Sequence, residues 1–188
     1  MASVASEDAL TKASTEGAQD FVDAYYTALQ NSRPTISTYY VPKTTAPDGT
    51  TTPDIIWNGN TYEDGLEFQK MYEDSMPTFV HFDVQAIDCQ ILNPQYSKET
   101  TTPGGMGVKP ERNISFLVMT AGHMRLEDRS EGPLFEFSET FLLVPNLEKG
   151  GKGVMGARRG WLIQTQSFRY VVVHDPVLTA GQTAMDIA

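Results

Sequence analysis

A chain of 188 residues that is 40% hydrophobic and 10% aromatic carries enough apolar material for one cored domain with loops and tails. A net charge of -10 and a sequence pI near 4.6 argue against general binding to phosphate backbones, which rests on Lys and Arg. One cysteine, Cys89, excludes an internal disulfide and fits a reducing compartment, no apolar run approaches the roughly 20 residues that span a bilayer, and Met1 to Ser6 lacks the basic and apolar parts of a secretory signal.

Ser6 to Asn31 reads as one long helix, with Ser6 able to cap it and Glu7 and Asp8 suited to its positive end. Phe21, Val22, Tyr25, Ala28 and Leu29 form its apolar stripe, while Thr11 to Gly17 is weaker, so that residues 1–17 read as an extension or a frayed first half. Ser32-Arg33-Pro34 opens a second, short helix with proline in its first turn and Ile36, Tyr39 and Tyr40 on one face. Val41-Pro42 stops it, and Thr44 to Pro53 is expected to be loop, turning at Pro47-Asp48-Gly49.

Ile55, Ile56 and Trp57 are strand formers, and Asn58-Gly59 after them is the dipeptide that a two-residue hairpin turn requires. Asp64 can cap a helix, with Glu67 completing a capping box, and Phe68, Met71, Tyr72 and Met76 then fall on one helical face until Pro77 ends it. Phe79 to Leu92 returns as a long strand whose alternation slips midway. Val80, Phe82 and Val84 share one parity and Ile87, Cys89 and Ile91 the other, which is what a β-bulge and a curved sheet produce.

Residues 93–112 are rich in Pro, Gly, Thr and Lys and are expected to form a long loop. Ile114 to Leu126, Leu134 to Val144 and Trp161 to Val173 are strands, with a second long loop at 145–160 and a tail at 174–188. Helices followed by a run of strands predict an α+β fold with an antiparallel sheet.

Trp57-Asn58-Gly59, Gly65, Phe68, Tyr72, Met76-Pro77 and Asp88-Cys89-Gln90 together resemble the middle of a nuclear transport factor two-like domain. Phe21-Val22-x-x-Tyr25-Tyr26, Tyr39-Tyr40, Phe137-x-x-x-Phe141-Leu142-Leu143 and Trp161 with Phe168-Arg169 extend the resemblance over residues 18–173. It implies a cone: a strongly curved antiparallel sheet packed on three helices. Met76 stands where that family usually has Leu, a volume-conserving exchange.

The family's cavity houses enzymes in some members and nothing catalytic in others, so fold does not decide function. An enzyme of the dehydratase or isomerase kind would need a base among Asp88, His81, His123 and Glu139, and a hydroxyl donor in Tyr26 or Tyr40. Glu139 is the sharpest of these, because it shares parity with Phe135, Phe137 and Phe141; the alternative for it is pairing with a tyrosine, an amide or the sheet edge. Metal-ligand spacing, phosphate loops and dinucleotide fingerprints are absent from the sequence, so no catalytic residue, metal or cofactor is expected.

The opposite sheet face is the more informative one. Parity puts Ser138, Thr140 and Leu142 on it, with Leu117, Met119 and Ala121 on one neighbouring strand and Ile163, Thr165, Ser167 and Arg169 on the other. A face so poor in charge reads as a protein interface rather than a solvated sheet. The resemblance implies dimerisation through that face. Its closest branch is the small subunit of the fungal mRNA export receptor, which pairs with a similar domain of a larger subunit. That branch implies passage through the nuclear pore between nucleus and cytoplasm, contact of the heterodimer with nucleoporin FG repeats, and RNA or ribosomal cargo. Lys149, Lys152, Arg158 and Arg159 in the 145–160 loop are the candidate cargo residues. A homodimeric carrier of the GTPase Ran is the alternative on the same fold, and only Glu127 and Asp128 match its acidic rim.

Overall fold

The hydroxyl of Ser6 accepts a hydrogen bond from the N–H of Ala9 at 3.3 Å and starts helix α1 (Glu7–Asn31). The computed structural model describes residues 5–97, 109–147 and 160–171. α1 runs unbroken through the half that local propensity leaves weak. Tertiary packing holds that half: Ser14 and Gly17 are buried, and the Trp161 indole lies where a Cβ at residue 17 would stand, 2.5 Å from its Nε1. A 3-10 helix, Arg33–Tyr39, follows with Pro34 in its first turn. Arg33 lies 5.2 Å over the Tyr72 ring and donates to the carbonyls of Met76 and Pro77, tying this turn to the end of the second α-helix.

The loop expected between Thr44 and Pro53 contains a small hairpin, β1 (Thr44–Thr45) and β2 (Thr51–Thr52), with Gly49 at φ 89° in its turn. The second hairpin, β3 (Asp54–Trp57) with β4 (Asn60–Tyr62), turns at Asn58 (φ 47°) and Gly59 (φ 88°), the positive values that the dipeptide supplies at low cost. Asp64 caps α2 (Gly65–Ser75) by accepting from the N–H groups of Leu66 and Glu67. The side chain of Glu67 reaches back to the N–H of Glu63. Phe68 and Tyr72 are the buried face of α2, and Pro77 follows its end.

Four long strands complete the sheet: β5 (Val80–Asn93), β6 (Ser115–Leu126), β7 (Leu134–Pro145) and β8 (Trp161–Val171). The six-stranded order is β4-β3-β8-β7-β6-β5. All pairings are antiparallel except β3 with β8, which is parallel. The expected antiparallel sheet of the α+β fold is thus present, with this one parallel pairing added. The short hairpin is inserted beside the last strand, and no local signal in either segment announces a partner more than a hundred residues away.

The bulge expected in β5 lies between Val84 and Ala86. Opposite it is Gly122, where a Cβ would come within 2.0 Å of the Asp83 carbonyl oxygen, so the bend needs glycine on the neighbouring strand. The concave side holds an aromatic core. Trp57 and Phe168 stack at 3.8 Å, Phe137 and Phe168 at 5.7 Å, and Phe141 meets both Phe21 and Tyr25 edge to face. On the convex side Met119, Ala121, Ser138 and Arg169 are exposed, while Val144 and Leu162 at one end are buried.

Candidate partner interface

Sheet register decides what the uncovered face presents. Met119 stands between Asp88 of β5 and Thr140 of β7, and Ser167 and then Ile56 continue that row through β8 to β3. One row along, Gln90, Leu117, Leu142, Thr165 and Asp54 align. On the other side of Met119, Ala86, Ala121, Ser138 and Arg169 align, followed by Asp83, His123, Glu136 and Val171. The middle of the face is therefore aliphatic, methionine, serine and threonine, with charge at its margins. Leu117, Leu142 and Ile56 are half-buried, while Met119 remains 39% exposed. A solvated antiparallel face alternates into charge more sharply than this one does.

Nine of the ten expected interface residues lie on this face. Ile163 does not: it is fully buried in the core. The β7–β8 register slips between Leu142, opposite Thr165, and Leu143, opposite Ile163, so one extra residue, Gln164, reverses the alternation. Three apolar residues in a row, Trp161-Leu162-Ile163, were the available sign of that slip. Asp54, Ile56, Ala86 and Gln90 belong to the face and were missed, because the β3–β8 pairing and the β5 bulge put them there. Arg169 is exposed and makes no salt bridge among the described residues. The four loop cations Lys149, Lys152, Arg158 and Arg159 lie outside the described residues.

The rival site, inside the cone, has a different character. Glu139 is fully buried and accepts from the Tyr26 hydroxyl and the Gln166 amide, both at 2.6 Å. The same amide donates to the Tyr25 hydroxyl at 2.9 Å. Tyr25 and Tyr40 share a hydrogen bond at 2.9 Å, Tyr40 donates to the Gln166 carbonyl oxygen, and Tyr26 and Thr120 are 2.7 Å apart. Burial pushes the Glu139 carboxyl up to about 7, against the opposing effect of its two hydrogen bonds. Burial likewise raises Tyr25, Tyr26 and Tyr40 well above the usual phenol range.

This constellation satisfies itself, as the pairing alternative for Glu139 anticipated. Its groups bond to one another and do not line the groove of about 670 Å³, which runs between α1 and the segments around Arg112 and Trp161. The other candidate bases are not brought to it. Asp88 is exposed on β5 and accepts from the N–H of Cys89, His81 bonds Gln30, and His123 lies on the open face 3.8 Å from Glu136. Cys89 is half-buried, packed at the edge of the core.

No protein-family model matches the chain. It is 28% identical over 127 residues to NTF2-related export protein 2 of Bos taurus, an alignment spanning 68% of this chain and 70% of that protein. Among solved structures, a chain of the Chaetomium thermophilum complex of the Mex67 NTF2-like domain with Mtr2 matches at TM-score 0.67 and 22% identity, covering 85% of this chain and 99% of the matched one. The fold is a nuclear transport factor 2-like fold. Within it, the structure of Mtr2 is a similar neighbour, at TM-score 0.64 and 21% identity over 85% of this chain and 99% of that one. At these identities the solved structures establish the architecture: three helices in the concavity of a mixed, mostly antiparallel sheet. In this chain the NTF2-like cone is filled by aromatic side chains and the Glu139 network, and its convex face is open.

Proposed function

We propose that this chain is a non-enzymatic subunit of a heterodimeric nuclear export receptor for mRNA. It pairs through its open sheet face with a similar domain of a larger partner, and the heterodimer shuttles between nucleus and cytoplasm through the pore. The observation that carries this reading is the uncharged, partly apolar centre of a face that stays exposed at Met119, Ala121 and Ser138. Its composition is that of an interface core, with polar and charged groups at the rim. The likeness to proteins named for export, and to a complex in which an NTF2-like domain meets Mtr2, supports it. A non-catalytic role is favoured by Glu139, whose carboxyl oxygens are both engaged within the core.

Assembly state tests the proposal. Size-exclusion chromatography with light scattering is expected to find the isolated chain monomeric or aggregating, and a one-to-one complex on co-expression with the larger receptor's NTF2-like domain. A stable homodimer that ignores that domain would favour the Ran-carrier reading instead.

Cargo is the finer half of the proposal. Lys149, Lys152, Arg158 and Arg159 are proposed to contact RNA-containing cargo, ribosomal subunits included, once the partner adds its own charge; FG-repeat contact is assigned to the heterodimer as a whole. Four phosphate contacts give a log–log salt slope of about −3 for RNA binding. Changing all four residues to glutamate is expected to flatten that slope and weaken binding; equal affinity at every salt concentration would reduce the loop to a linker.

A further inference from the structure

The margin of the open face is unbalanced in charge. Asp83 and Asp88 are exposed along the β5 side, Glu136 stands at one end, and Asp54 lies beside Thr165 on the far side. Against these four carboxylates the face offers two arginines. Arg125 donates to the carbonyl oxygen of Gly132 at 2.8 Å and keeps its charge, and neither it nor Arg169 makes a salt bridge among the described residues. His123, 3.8 Å from Glu136, adds positive charge only when protonated.

Resting on the heterodimer reading above, we propose that this acidic margin selects the partner. It rejects a second copy of this chain and draws in an NTF2-like face whose rim is positively charged opposite Asp83 and Asp88. Two copies docked face to face would bring eight carboxylates together with four guanidiniums, by doubling the inventory of one face. Whichever way the twofold axis runs, the acids outnumber the guanidiniums two to one, and the net charge of -10 on each copy adds long-range repulsion. A partner rimmed with Lys or Arg removes both penalties. Its approach is accelerated by attraction over the whole face, while the uncharged centre supplies the contact that holds the complex. The charge also explains how the long β5 edge tolerates exposure, since exposed acids discourage strand-to-strand pairing.

The test uses the full chain and the NTF2-like domain of the larger export receptor from the same organism. Stopped-flow association should slow by about tenfold or more between 50 mM and 500 mM NaCl, as electrostatically steered pairs do. Asp83→Lys with Asp88→Lys should associate about tenfold more slowly at low salt and lose most of that salt dependence; the asparagine pair should fall between. Both positions are exposed, and circular dichroism of the free variants checks that the fold is kept. A complex that forms at a rate indifferent to salt and to these changes overturns the selection proposal and leaves the heterodimer standing. Absence of any complex overturns both.

Discussion

Replacing Arg169 with glutamate is expected to abolish capture of the larger receptor's NTF2-like domain while the free chain still folds. Arg169 is exposed in the row of Ala86, Ala121 and Ser138, and no described carboxylate pairs with it. A guanidinium covered by a partner without a counter-charge would be costly, so the partner must present a carboxylate there. Reversal then sets two anions against each other in a desolvated contact, and the expected loss of affinity is of order a hundredfold or more. Pull-down from co-expressing cells reads it. Undiminished capture would mean that the open sheet face is not the interface. Enlarging Met119 or Ser167, which lie in the adjacent row, should act in the same direction by sterics.

The second large effect concerns pH and Glu139. Its carboxyl titrates at about 7 in the folded chain, against 4.5 for an unperturbed one, because burial penalises the charge. The folded state therefore holds a proton that the unfolded chain has released throughout that interval. Stability from this group is complete below about pH 4.5, declines as pH rises toward 7, and is flat above; the total is about 3 kcal/mol. Glu139→Gln removes the titration and keeps the geometry. The amide oxygen accepts from Gln166, and the NH2 donates to Tyr26, whose hydroxyl can turn to Thr120 at 2.7 Å. Urea unfolding at pH 5 and pH 8 is expected to find the variant gaining about 2 to 3 kcal/mol on the wild type between the two. A stability difference that does not change with pH would refute the assignment.

Much of the architecture was readable from local chemistry. Ser6 and Asp64 cap the helices, Asn58-Gly59 turns the hairpin, Pro77 follows the second helix, and the parity slip in residues 80–91 marks the bulge. Each is an interaction within a few residues of chain, which is the range over which sequence pattern carries direct physical information. The open face was legible for the same reason on β6 and β7, where alternation is regular from Leu117 to Ala121 and from Ser138 to Leu142.

What the sequence determined by itself was therefore the set of elements, their caps and turns, and the inward and outward parity of unbroken strands. Tertiary structure alone decided that β3 lies parallel to β8, that the extra residue in β8 turns Ile163 into the core, and that Glu139 finds Tyr26 and Gln166. Those outcomes depend on contacts between segments more than a hundred residues apart. They also depend on which backbone takes up one extra residue, and both are settled by how the whole aromatic core packs rather than by any local preference.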